Sequence, residues 1–336
     1  MKAAQIDRYG KISDVVVRDV PLPHLAAGQV LVKVQAAAIN PVDVLNVTGA
    51  VKLVQDYRMP LTLGNELIGT VEKVATNVGG FKPGDLVYGR LAVPSIGSFV
   101  EYVAVDAHAL APAPEGLALE EAAAVPLTGL TAWQALTEEL EAQPGQTVLI
   151  TGGSGGLGQL AVPIAKHLGL NVFVTGSARS RERMLDLGAD RYFDYRTEDY
   201  AKELASTPVD HIIDGLGEAE FARELSVLVP GGRLLSLRGI PNGTFARAAG
   251  LPLSKRLLFS LAGSKLDRAA KKQGKKYRFM YTRADGDQLR RVTEVVRERN
   301  VHPDVDPHSF GLDEVREALN LVANGHPTGK VVLHIS

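Results

Sequence analysis

Ile150-Thr151-Gly152-Gly153-Ser154-Gly155-Gly156-Leu157-Gly158 is the stretch that decides the fold. Gly153, Gly155 and Gly158 satisfy G-x-G-x-x-G, and the apolar run TVLIT at 147–151 leads straight into them. In such a turn the first glycine allows a tight bend and the second lets the backbone approach a pyrophosphate. The third lets helix and strand pack closely. The helix that follows then presents unpaired amides and the positive end of its dipole to phosphates. By itself the pattern is weak, so its surroundings carry the weight.

Downstream, strands are expected at 171–175, 191–195, 209–214, 233–238 and 277–281, with helical patterns such as 181–187 and 219–228 between them. Strands alternating with helices at this spacing predict a parallel sheet covered on both faces. Six strands match a doubly wound nucleotide-binding fold. Upstream the grammar differs. Short valine-rich runs at 15–20, 30–39, 67–75, 85–91 and 99–105 are separated by turn chemistry such as NVGGFKPGD, and 119–125 and 130–140 read as helices. After the sixth strand come helices at 288–300 and 313–324 and a last strand at 330–335. Pro163 falls inside the helix after the glycine turn, where a kink is expected.

Composition narrows the chemistry. The 336 residues carry 37 basic and 38 acidic side chains, which argues against a whole-protein attraction to nucleic acid. Without cysteine there are no disulfides, thiolate nucleophiles, iron–sulfur clusters or cysteine-ligated zinc sites. The start MKAAQIDRYGKISD lacks the apolar core of a secretory signal, and no stretch approaches the ~18 apolar residues of a membrane span. A cytoplasmic location is the expectation.

One segment stands apart. Residues 244–280 hold ten basic side chains against Asp267 alone, and Leu253, Leu257 and Leu261 recur every four residues as on an amphipathic helix. Two readings follow: contact with an anionic partner, phosphate or membrane surface, or a solvated insertion packed on the body or a second subunit.

Two other motifs overlap the glycine turn. Gly152-Gly-Ser-Gly-Gly156 fits the G-x-S-x-G elbow with Ser154 as nucleophile, but no HGGG-type oxyanion segment accompanies it. Thr151-Gly-x-x-x-Gly-x-Gly158 fits a short-chain dehydrogenase pattern, yet about 150 residues precede it and no tyrosine has lysine four positions later. A dinucleotide cradle is the reading that remains. From Ala142 to Arg181 there is no carboxylate to bind a ribose 2′-hydroxyl; Ser177, Arg179 and Arg181 stand at the end of the second strand instead. That exchange favours the 2′-phosphate of NADP, with Ser177 and Arg179 as contacts and Arg181 as substitute.

The chain resembles the medium-chain dehydrogenase/reductase superfamily, in its zinc-free quinone oxidoreductase branch. The resemblance rests on AAAINPVDVLNVTG (36–49), LGNELIGTVEKVATNVGGFKPGDLVYG (63–89), AAAVPLTGLTAWQAL (122–136), the glycine turn and GKVVL (329–333). It implies a Rossmann sheet inserted in a β-rich, GroES-like catalytic domain: 1–124 plus 283–336 as catalytic domain, 125–282 as NADP-binding domain with a basic insertion at 244–276. Zinc-binding relatives place cysteine at the position of Asn40 and histidine at that of Asn65, so Glu66 alone would be left and no metal is expected.

Carried over position by position, Asn40 and Asp43 would lie beside the nicotinamide end and Thr128 would face its amide. Gly153, Ser154, Gly155, Gly156, Leu157 and Gly158 would cradle the pyrophosphate, and Tyr195 would lie near the adenosine phosphate. Gly215, Leu216, Arg238 and Gly239 follow strands whose carboxyl ends face the ligand in this fold, and Lys330 would also approach the cofactor. The implied reaction is hydride transfer from NADPH to a quinone or an α,β-unsaturated carbonyl. Asn40 would donate to the developing enolate, and Tyr57 or water would supply the proton. A homodimer is implied as well. The competing reading is a non-catalytic NADPH-binding sensor or a crystallin-like structural protein; a zinc alcohol dehydrogenase is a third.

Overall fold

The computed structural model describes residues 1–335. Its strands are β1 (Lys2–Ile6), β2 (Val16–Asp19), β3 (Gln29–Ala38), β4 (Leu61–Thr62), β5 (Glu66–Val74), β6 (Leu86–Arg90), β7 (Tyr102–Asp106), β8 (Leu110–Pro112), β9 (Thr147–Thr151), β10 (Asn171–Gly176), β11 (Arg191–Asp194), β12 (Val209–Asp214), β13 (Leu228–Ser236), β14 (Lys276–Phe279), β15 (Phe310–Gly311) and β16 (Val332–His334). Two compact units result: Met1–Leu130 with Arg283–Ser336, and Thr131–Thr282.

The second unit is a parallel sheet in the order β11-β10-β9-β12-β13-β14. With β9 as the first strand this is the 3-2-1-4-5-6 order of dinucleotide-binding sheets, whose ligand crevice lies outside the carboxyl ends of the central strands. Val148, Leu149 and Ile150 are fully buried, which is why β9 reads as an unbroken apolar run and not an alternating one. The helix Gly156–His167 covers the sheet with Leu160, Ala161, Val162, Ile164 and Ala165. It stays helical through Pro163, and nothing in the structure explains that proline.

The first unit is antiparallel, apart from β15 beside β16. Its long strand β3 pairs with β5, β7 and β16, so both ends of the chain contribute to one sheet of order β15-β16-β3-β5-β6-β8. A smaller sheet, β2-β1-β4, stands beside a core of Ile6, Ile39, Val47, Leu63, Phe99, Leu319 and Leu333.

Local departures from the sequence reading have plain causes. β1 went unforeseen because KAAQI is rich in small residues, although four of its five positions are buried. The helix expected at 130–140 is helical over Pro126–Gln134 and then loosens into a π turn over Ala135–Glu139. The basic insertion folds as three helices, Gly243–Ala248, Leu253–Ala262 and Ser264–Lys272. Its leucines do not form the packing face: Phe259 is buried, and Leu253, Leu257 and Leu261 face outward.

Candidate active site

The glycine turn joins β9 to the helix Gly156–His167, with Gly155 as its N-cap. The left-handed bend lies at Gly152 (φ +63°) and not at Gly153. A Cβ at Gly153 would instead meet Ile150 and Val174 side chains at 2.9 Å, so that glycine serves packing. At Gly158 a Cβ would fall 1.7 Å from the Gly153 carbonyl oxygen, which only glycine tolerates. Gly155 and Gly156 differ: a Cβ on either meets nothing within 4 Å. Open space therefore lies over the helix N-terminus, as a pyrophosphate there requires.

At the end of β10, Tyr192 donates to the Ser177 carbonyl oxygen at 2.7 Å and fixes the following loop. Burial pushes the Tyr192 phenol up to about 12. Arg179 is exposed. Arg181 is committed elsewhere: it donates to the Tyr192 carbonyl oxygen, pairs with Glu198 and lies over the Tyr192 ring. It is therefore no substitute for Arg179. Asp194, opposite Gly176 in register, spends its carboxylate on the Arg196 amide and the Thr197 hydroxyl. Tyr195 is exposed beside it, its hydroxyl accepting from Arg196.

Thr151, Asp214 and Ser236 share a level across β9, β12 and β13. Asp214 is buried and accepts from the amides of Leu216 and Gly217 at 2.6 and 2.8 Å and from the Ser236 hydroxyl at 2.5 Å. It therefore shapes the loop holding Gly215 and Leu216, and Leu216 lies against Gly152. Arg238 is exposed after β13, and Gly239 packs where a Cβ would strike the Tyr277 hydroxyl. Beneath the turn, Glu224 accepts from the Thr151 hydroxyl at 2.7 Å. Burial, reinforced by the Asp214 charge, pushes its carboxyl up to about 8. Spacing held the clue to Glu224: it stands three residues after Phe221, on the inward side of the helix Phe221–Ser226.

The first unit assembles a buried polar network. Asn40 follows β3 and caps the helix Pro41–Thr48, its backbone N–H donating to Asp43 at 2.7 Å. Asn65 donates to the other Asp43 oxygen at 2.7 Å. The Asn40 side chain donates to Glu66 at 2.6 Å and to the Ala38 carbonyl at 3.4 Å, and accepts from Lys330 at 2.5 Å. Lys330 also donates to Thr128 at 2.9 Å and lies 3.1 Å from Glu66, whose second oxygen accepts from the Leu127 amide. Asn40, Asp43, Thr128 and Lys330 thus converge, although Lys330 is 290 residues from Asn40. Burial pushes Asp43 up to about 7 despite its two hydrogen bonds.

Hydrogen counting assigns parts. Both amide hydrogens of Asn40 are committed, so it orients Glu66 and Lys330 and has none left to donate. Thr128 accepts from the Lys330 ammonium, which strengthens its own hydroxyl as a donor. Tyr57 stays outside this network: its hydroxyl donates to Gln55 at 2.6 Å, and burial raises its pKa.

This donor set does not fit zinc. Two asparagines and one carboxylate replace the usual imidazole and thiolate ligands, and an ammonium already lies against that carboxylate. Among the described residues no three His, Cys, Asp or Glu side chains form a metal cluster.

Comparison with known proteins places these features. Residues 26–115 match the family model described as alcohol dehydrogenase GroES-like domain, and residues 187–333 match that of zinc-binding dehydrogenase. The 2-methylene-furan-3-one reductase of Solanum lycopersicum is 32% identical over 99% of this chain and 79% of its own length. The chloroplastic NADPH-dependent alkenal/one oxidoreductase of Arabidopsis thaliana is 30% identical with the same coverage. A solved quinone oxidoreductase from Coxiella burnetii superposes with a TM-score of 0.82 at 29% identity, covering 100% of this chain and 99% of its own.

Proposed function

The chain belongs to the medium-chain dehydrogenase/reductase superfamily, in its zinc-free quinone oxidoreductase branch, and from that premise we propose an NADPH-dependent reductase of quinones or α,β-unsaturated carbonyls. It is an oxidoreductase. The observation that carries the substrate class is that Asn40 and Asn65 stand where zinc relatives place ligands, with the Lys330 ammonium 3.1 Å from the remaining carboxylate, Glu66. A conjugated acceptor delocalises incoming charge onto its oxygen, so hydrogen-bond donors suffice where an isolated carbonyl needs a Lewis acid.

In this reading Ser154 to Gly158 receive the pyrophosphate, while Ser177 and Arg179 bind the 2′-phosphate. Tyr195, Gly215, Leu216, Arg238 and Gly239 line the remaining dinucleotide path. NADPH, when bound, supplies the hydride. Thr128, polarised by Lys330, donates to the nicotinamide amide or the acceptor oxygen, and Asn40 and Asp43 hold that arrangement in place. Solvent water is the proton source, because the Tyr57 hydrogen is engaged by Gln55. A homodimer and a cytoplasmic location belong to the proposal. No described helix is long and apolar enough to cross a membrane.

The test is steady-state NADPH oxidation with a panel of quinones and enones. Turnover of at least one class is expected. Tight NADPH binding without turnover across the panel would replace the reductase by a non-catalytic NADPH-binding protein.

A further inference from the structure

The helix Leu253–Ala262 turns its apolar side outward. Leu253, Leu257, Leu258 and Leu261 are 71, 60, 44 and 75% exposed. Its anchor is Phe259, buried edge-on against Phe245 at 6.3 Å between ring centroids. Positions 253, 257 and 261 run along one side with 254, 258 and 262 beside them, so the stripe is continuous over a helix about 15 Å long.

Cations frame this stripe. Lys255 and Arg256 flank it half-buried, and the next helix, Ser264–Lys272, exposes Lys265, Arg268, Lys271 and Lys272. The facing acids are few. Asp267 accepts from the Asn242 amide at 2.8 Å, and Glu218 lies 3.7 Å from Lys265. Lys271 and Lys272 have no acidic partner among the described residues.

We propose that this face docks on an anionic lipid bilayer, with the helix Leu253–Ala262 lying in the headgroup plane. Its leucines enter the acyl boundary while the lysines and arginines of both helices meet lipid phosphates. Apolar insertion and cationic attraction are the two contributions such binding needs, and both occur here on adjacent helices. An exposed leucine stripe also suits a fluid apolar layer, which demands no complementary shape. A second copy is a poorer occupant: a two-fold contact through this face would bring two copies of the same cation-rich patch together. The proposal stands independently of the reductase reading.

The experiment floats the full chain with vesicles of phosphatidylcholine alone, or of three parts phosphatidylcholine to one part phosphatidylglycerol. Co-flotation is expected with the second and not the first. Leu257→Glu with Leu261→Glu, at exposed positions, lowers the bound fraction about tenfold or more. Lys271→Glu with Lys272→Glu does the same, and NADPH binding in lipid-free buffer stays unchanged in both variants. No flotation with the anionic vesicles overturns the proposal. So does flotation that ignores the leucine pair, since charge alone would equally capture an acidic protein. A leucine-dependent dimer in lipid-free sedimentation also overturns it and assigns the face to a second copy.

Discussion

The Lys330 ammonium lies 3.1 Å from the Glu66 carboxylate, with the lysine side chain 10% exposed and the glutamate fully buried. Removing either partner strands the other. Lys330→Met is expected to destabilise the fold by about 3–5 kcal/mol, the usual cost of a buried charge left alone. A thermal melt reads that loss. Turnover should fall too, because Thr128 loses the cation that polarises it. Thr128→Val isolates this second effect: about tenfold lower kcat/KM with the melting temperature within a few degrees of wild type.

Cofactor choice is expected to rest on Arg179, since Arg181 is held by Glu198 and Tyr192. Arg179→Ala should lower kcat/KM for NADPH about tenfold and leave that for NADH unchanged. Arg181→Ala should instead lower stability. Wild-type turnover as good with NADH as with NADPH would remove the role given to Ser177 and Arg179.

Two glycines of the same turn should respond in opposite ways. Gly158→Ala drives a methyl to within 1.7 Å of the Gly153 carbonyl oxygen and should prevent native folding or lower the melting temperature sharply. Gly155→Ala meets no protein atom within 4 Å. It should fold normally and lose NADPH affinity, because its methyl takes space meant for phosphate. Fluorescence titration with NADPH alongside circular dichroism separates the two outcomes.

Stability should fall as pH rises from about 5 to about 8. Asp43 and Glu224 hold protons up to about 7 and about 8 when folded, against ordinary values of 3.8 and 4.5. In that window the unfolded chain has already released those protons, so unfolding releases them and alkali favours it. Below the ordinary values both states are protonated and the dependence vanishes. Each group contributes at most about 1.4 kcal/mol per pH unit. Urea melts at several pH values check the slope, and Glu224→Gln should flatten its upper half. Stability rising steadily across the window would remove the protonated carboxyls.

Metal removal should change nothing. Dialysis against a chelator is expected to leave NADPH-dependent turnover intact, and elemental analysis should find less than one zinc per chain. Stoichiometric zinc would contradict the role given to Lys330.

The Rossmann sheet was readable from sequence because its first strand, β9, is an apolar run, the later strands alternate with helical segments, and the glycine turn marked its first crossover. The antiparallel unit was harder to see. β1 is written in small residues, and β3 meets β16 only after the intervening unit. Asn40 and Lys330 were legible through resemblance, but the network between them was not, since hydrogen-bond direction is not a property of spacing. Thus Asn40 looked like a donor to substrate, and the structure gives both its hydrogens to Glu66 and Ala38. In the insertion, leucine periodicity located the helix but could not tell which side faced out. Phe259, a single aromatic, decided that.

The pairing of β16 with β3 also sets an order of assembly. Residues 332–334 bond to 36–38, and Lys330 just before them neutralises Glu66. On the ribosome the Thr131–Thr282 unit emerges whole before those residues exist. Until the tail arrives, the edge of β3 stays open and Glu66 has no counter-charge. The Lys330–Glu66 network is therefore completed by the tail, and a chain truncated shortly before Lys330 would carry a whole Thr131–Thr282 unit and leave the β3 sheet and its buried carboxylate unfinished.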